Sequence, residues 1–128
     1  NCNLIVTTTP SESALLQASD IQPGTHITAV GSDTEHKQEL DSQILALADI
    51  VISDSIAQSK SRGEIYRAVC AKAIDARKPV ELGTALTNAS LQRQNDQQIT
   101  IADLTGVAVQ DIMIASAVYQ HHLSNQQA

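Results

Sequence analysis

The chain has 128 residues, and 8 Lys and Arg against 14 Asp and Glu leave a net charge of −6. One domain fits this length better than two. The acidic balance and the two aromatic residues, Tyr66 and Tyr119, argue against nucleic acid as a partner, which calls for clustered cations or stacking platforms, and no apolar run nears the roughly 18 residues of a membrane span.

Asn1 stands just before Leu4 to Thr8, a short, apolar, β-branched run stopped by Pro10, which is the mark of a strand. A strand placed this early predicts a fragment or a processed product. His26 to Val30, Ile50 to Ser53 and Ile99 to Asp103 repeat the pattern. All four are apolar over successive residues, so they predict parallel strands covered on both faces, over residues 3–9, 25–31, 49–53 and 98–103.

Ser11 to Ser13 lead into a short turn with Leu15 and Leu16, ended by Pro23 and Gly24. Leu40, Ile44, Leu45 and Leu47 follow helical spacing up to Ala48. From Ile56 to Ala76, one stripe carries Ile65, Ala68, Val69, Ala73 and Ile74, with Gly63 as an interruption near its start and Pro79 beyond its end. Leu82 to Leu86 allow a short helix, and residues 88–98 read as a polar loop. Val109, Ile112, Met113, Ser116, Ala117 and Gln120 predict a long final helix over 106–122, with a frayed tail from Ser124. This alternation predicts an α/β fold, partial Rossmann-like and doubly wound, with about four mainly parallel strands, flanking helices and right-handed crossovers.

With Phe and Trp absent, Ile, Leu, Val and Ala must fill the core. Cys2 and Cys70 lie far apart in apolar segments, which predicts free, buried thiols in a reducing cytoplasm. The four histidines lack metal-ligand spacing, so no metal is expected.

In open parallel sheets, ligands gather beyond the carboxyl ends of the strands. Thr7 to Ser11 offer hydroxyls for ribose or phosphate, although for Ser11 and Ser13 a helix cap is the better reading. Gly31 allows close backbone approach, and Asp33 could serve as a general acid/base. It could also be an N-cap, with Lys37 as an ordinary surface partner four residues on. Asp103-Leu104-Thr105-Gly106 makes either a ligand-facing turn or a cap for the last helix.

Taken in order, these segments resemble the ornithine cyclodeaminase/mu-crystallin family from about Asn3 to Tyr119. The matching stretches are Ile5 to Ser11, Pro23 to Asp33, Lys37 to Asp41, Ala48 to Val51, Gly63 to Ile65, Glu81 to Gly83 and Asp103 to Asp111. The resemblance implies a Rossmann-type domain, NAD or NADP as cofactor, amino-acid or imine substrates, and a homo-oligomer. It casts Asp33 as the catalytic acid/base. Lys37 becomes a cofactor or active-site contact, and Thr8, Thr28, Ala29, Val30 and Gly31 become cofactor contacts. Leu104 and Thr105 fall in the nicotinamide and substrate turn, with Leu104 standing where Ser is frequent and Ala102 where Phe is common. Ornithine converted to proline and ammonia is the leading activity. An alanine dehydrogenase-like enzyme, a ketimine reductase and a non-catalytic mu-crystallin-like binding protein are the rivals.

The five glycines, at 24, 31, 63, 83 and 106, form no G-x-G-x-x-G. Residues 1–128 are therefore expected to be the later half of the dinucleotide-binding domain, without its Gly-rich first half and without a substrate and dimerisation domain. On its own such a piece is expected to bind NAD poorly, to turn over nothing, and to self-associate through an unpaired sheet edge at the Leu4 to Thr8 strand.

Overall fold

Runs of Ile, Val and Thr form short strands, β1 (Leu4–Thr7), β2 (His26–Ala29), β3 (Ile50–Ser53), β4 (Val80–Glu81) and β5 (Thr100–Asp103). The computed structural model describes residues 2–126. Every neighbouring pair is parallel and the order is β1-β2-β5-β3-β4. The α/β, Rossmann-like expectation holds, with five strands in place of four. The extra strand, β4, is two residues long and follows Lys78 and Pro79, so no apolar run announces it. Proline is tolerated there because β4 lies at the sheet's edge.

Helices α1 (Ser42–Leu47) and α2 (Gly63–Cys70) cover one face of the sheet, followed in the chain by α3 (Leu82–Thr87) and α4 (Ala108–Gln126). Asp41 starts α1 by accepting the Gln43 N–H at 2.7 Å. The helix expected over 56–76 is shorter, a 3₁₀ turn at Gln58–Lys60 and then α2. Gly63 begins α2 with φ +90° and does not interrupt it. Lys72, left-handed at φ 58°, ends it, with Ala73 N–H on the Ala68 carbonyl at 2.9 Å and Lys72 N–H on Val69 at 3.0 Å.

Alternation along the strands sends Ile27, Ala29, Val51 and Ile101 into the core against Leu40, Ile44, Leu45, Ile65 and Ala68. Ile27, Ile44, Leu45 and Ile101 are fully buried, and each contributes about 1.5–3 kcal/mol. The opposite face carries Val6, Thr28, Ala102 and Ile52 in one row. Val6 is 58% exposed and the other three are half-buried. The expected cover is thus complete on one face and partial on the other, with α3 packed against β3 and β4. On the other, Arg93 reaches over to the Gly24 carbonyl at 3.1 Å and Thr100 Oγ1 at 3.3 Å.

The final helix forms as predicted, although it starts at Ala108 and continues through Ser124 to Gln126. The tail expected to fray is therefore helical up to that point, and residues 127 and 128 lie outside the described ones. Val109, Ile112, Met113, Val118 and Tyr119 are all exposed along it. The chain accordingly exposes 7740 Å², above the roughly 6,500 Å² that scaling gives a compact chain of 13.6 kDa. Cys2 and Cys70 are free, but both are exposed, because Cys70 falls on the outer side of α2. Among the described residues, no helix is long and apolar enough to cross a membrane.

Candidate functional site

Parallel strands in register bring one row of residues across the whole sheet: Thr7, Ala29, Asp103, Ser53 and Glu81. The residues that follow, among them Thr8, Val30, Leu104 and Asp54, form its carboxyl edge. Sequence reasoning placed Thr8, Val30, Asp33, Leu104 and Thr105 at strand ends, and the fold gathers those ends on one side. Thr28 stands one residue before Ala29 on the opposite face, half-buried, with its hydroxyl 3.1 Å from His26 Nε2. Ala29 is buried on the core face, its carbonyl taken by the Leu104 N–H at 2.9 Å.

The segment 31–39 is a loop and not a helix, so the N-cap alternative for Asp33 falls away. Lys37 still reaches Asp33, with Nζ donating to Oδ1 at 2.6 Å. That hydrogen bond holds the Asp33 carboxyl below its ordinary value, and the side chain stays 53% exposed. The Ser32 hydroxyl donates to the Lys37 carbonyl at 2.8 Å across the loop. Arg67 fastens its outside through Gln38 Oε1 at 3.1 Å.

At the neck of this loop lies a residue to which sequence reasoning gave no role. Glu39, fully buried, accepts the Thr7 hydroxyl at 2.7 Å, the Thr9 N–H at 2.5 Å and the Gly31 N–H at 2.9 Å. Burial pushes its carboxyl up, but these hydrogen bonds outweigh burial and hold it below the ordinary value. The close approach that Gly31 allows is therefore made by the protein itself. A Cβ at Gly31 would collide with the Thr9 carbonyl and the Glu39 carboxylate.

Two more buried carboxylates lie beneath the edge. Glu64 accepts the backbone N–H groups of Glu39 at 2.7 Å and Leu40 at 3.3 Å, and burial raises its pKa to about 7. Asp103 turns toward α2 and accepts the Ile65 N–H at 2.9 Å; burial raises it to about 7 as well. The 103–106 turn is braced from β3. Thr105 Oγ1 donates to Gln58 Oε1 at 2.9 Å and the Gly106 N–H donates to Asp54 Oδ2 at 2.8 Å. Arg62 also binds Gln58, while its Nε is buried with no hydrogen-bond partner among the described residues. Sequence pattern alone could not reveal Asp54, Gln58, Arg62 or Glu64, because each depends on strands distant in the chain. Among the described residues, no three His, Cys, Asp or Glu side chains converge as a metal site.

An all-parallel sheet with a polar, loop-rich carboxyl edge defines a Rossmann-like α/β domain. Residues 1–126 match the Ornithine cyclodeaminase/mu-crystallin family, and the chain belongs to it. It is 44% identical over 120 residues to an uncharacterized cyclodeaminase of Sinorhizobium fredii, covering 92% of this chain and 36% of that protein. An archaeal alanine dehydrogenase dimer solved with bound NAD superposes with TM-score 0.87 at 38% identity, over 98% of this chain and 39% of that one. The iminosuccinate reductase of Paracoccus denitrificans, solved with NAD⁺, gives TM-score 0.81 at 41% identity, over 91% and 36%. The chain thus spans little more than a third of the length of these relatives.

Proposed function

We propose that this chain is the later half of a dinucleotide-binding domain, in an enzyme that interconverts amino acids and imines with NAD or NADP. The observation that carries the reading is the state of Asp33. Its carboxylate is held ionised by Lys37, exposed, and fixed on a loop at the carboxyl edge of the sheet. The ionised form is the one that accepts a proton from an ammonium group or an attacking water; the Lys37 hydrogen bond lowers its basicity, so the role rests on its place at the edge and not on its pKa.

The residues present fit part of the cofactor. Thr8 and Val30 are exposed and Leu104 half-buried along the edge, a neutral rim against which a flat ring of a dinucleotide can lie. The pyrophosphate finds no cradle at the first turns of α1 and α2, where Asp41 and Asp103 already take the N–H groups of Gln43 and Ile65. That part falls to chain outside this segment. Bound NAD supplies the hydride chemistry, and Asp33, steadied by Lys37, moves the proton beside it.

Within this class, ornithine going to proline and ammonia is one outcome. Net oxidoreduction between an amino acid and its imine is the other, favoured by the likeness to alanine dehydrogenase and iminosuccinate reductase. Proline formed without steady NADH change marks the first; steady NADH change marks the second. In the full-length protein, Asp33→Asn is expected to lower kcat by about 10²–10⁴-fold with little change in NAD affinity. Normal turnover by this variant would remove the acid/base role from Asp33, whereas NAD binding without any turnover by the unmodified full-length protein would leave a binding protein of the mu-crystallin kind.

A further inference from the structure

We propose that Glu39 is a positioning residue, whose single carboxylate pins the ends of β1 and β2 together and thereby sets where Asp33 and Thr8 stand. The inference rests on the reading in which Asp33 moves the proton.

Glu39 is fixed before it fixes anything else. Its backbone N–H is held by Glu64 Oε1 at 2.7 Å, and its carbonyl accepts Leu15 N–H at 2.7 Å and Leu16 N–H at 3.3 Å. Its side chain then reaches back to both strand ends. One oxygen takes the Thr9 N–H, and the other takes the Thr7 hydroxyl and the Gly31 N–H. Thr7 and Thr9 flank Thr8, so the backbone on both sides of that residue is clamped. Gly31 carries the bend into the Asp33 loop, where Asp33 N–H donates to the Gly31 carbonyl at 3.0 Å. The loop from 31 to 39 is thus closed at its neck by one bond between its first and last residues, with Asp33 inside.

Only a carboxylate closes all three bonds. Both oxygens must accept, two of the donors are backbone N–H groups that cannot reverse, and each lies on a different oxygen. An amide at this position faces one of them with its own NH₂. Every partner lies within the described residues, Thr7 buried and Thr9 and Gly31 half-buried, so all three bonds are made within this segment.

The test is a double-mutant cycle in the full-length protein, with kcat measured at saturating NAD and substrate, pH profiles, and melting temperatures. Glu39→Gln is expected to lower kcat by about 10–100-fold, the scale of an ångström-sized misplacement, and to shift the acid limb of the profile. Neither effect should appear when Asp33→Asn is already present. Thr7→Val, which removes one donor and keeps the shape, should give a smaller loss with the same dependence on Asp33, and it decides the matter if Glu39→Gln does not fold. Losses that multiply in the Asp33→Asn background, or a Glu39→Gln enzyme within twofold of normal beside a crippled Asp33→Asn, overturn the clamp alone. Normal turnover by Asp33→Asn removes the acid/base reading and the clamp with it.

Discussion

Asp103 Oδ2, at the end of β5, accepts the Ile65 N–H at 2.9 Å and so caps α2, a helix that begins 40 residues earlier in the chain by number. Arg62, the residue preceding α2, makes no side-chain cap of its own. The capping role considered for Asp103 is real, but the helix is α2 and not α4. The contact needs Gly63, since a Cβ there would lie 2.6 Å from Asp103 Oδ2 and 2.7 Å from Thr105 Cγ2.

Gly63→Ala is therefore expected to cost about 3 kcal/mol or more, combining left-handed strain with displacement of the cap. Gly83→Ala is the control. It lies in α3 with nothing within 4 Å of the added Cβ, and should be neutral or stabilising by about 0.5–1 kcal/mol. Urea denaturation of both variants checks the contrast.

Stability should fall as pH rises from about 4 to 7. Glu64 and Asp103 both reach about 7 in the folded chain, from ordinary values of 4.5 and 3.8. Across that window the folded state keeps protons that the unfolded chain releases, so their contribution is full below the ordinary values and lost through the folded ones. Asp103→Asn keeps an acceptor for Ile65 and should flatten the decline. Unfolding free energies at pH 5, 6, 7 and 8 measure it; an unchanged slope in the variant would falsify the assignment to Asp103.

Lys37→Met should raise the pKa of Asp33, because the Lys37 hydrogen bond is the leading cause of its depression. In the full-length protein the acid limb of the kcat profile should move to higher pH. The melting temperature should barely change, since exposed ion pairs contribute about 0–1 kcal/mol. A limb that stays in place would separate the titrating group from Asp33.

The outer edge of β1 carries Leu4 and Val6, 59% and 58% exposed, beside a row of backbone groups with no strand next to it among the described residues. Such an edge templates association. These 128 residues are expected to self-associate at high concentration by light scattering, and Val6→Lys should reduce it. A monomer at every concentration would show the edge to be inert.

The four longer strands were legible because each is centred on apolar or β-branched residues, LIVT, HITA, IVIS and TIAD. β4 was not, since Val80 and Glu81 pair only because β3 stands beside them. Asp33 and Lys37 could be named from spacing, but their pairing on a loop could not. Glu39 was the hardest to read. An acidic residue between Gln38 and Leu40 looks like surface, and its burial arises only when strand ends 30 and 8 residues away converge on it. Cys70 misled in the opposite sense, since it ends α2 at an exposed position although Val69 before it is half-buried.

The central position of β5 bears on how the chain comes together during synthesis. The strand that joins β2 to β3 is the last one made. Until Thr100 to Asp103 emerge, β1 with β2 and β3 with β4 are two separate parallel pairs, and α2, at eight residues, is too short to persist uncapped. A fragment of residues 1–98 should accordingly show no cooperative unfolding. Addition of the next few residues links the two pairs, caps the helix and closes the core in a single late event.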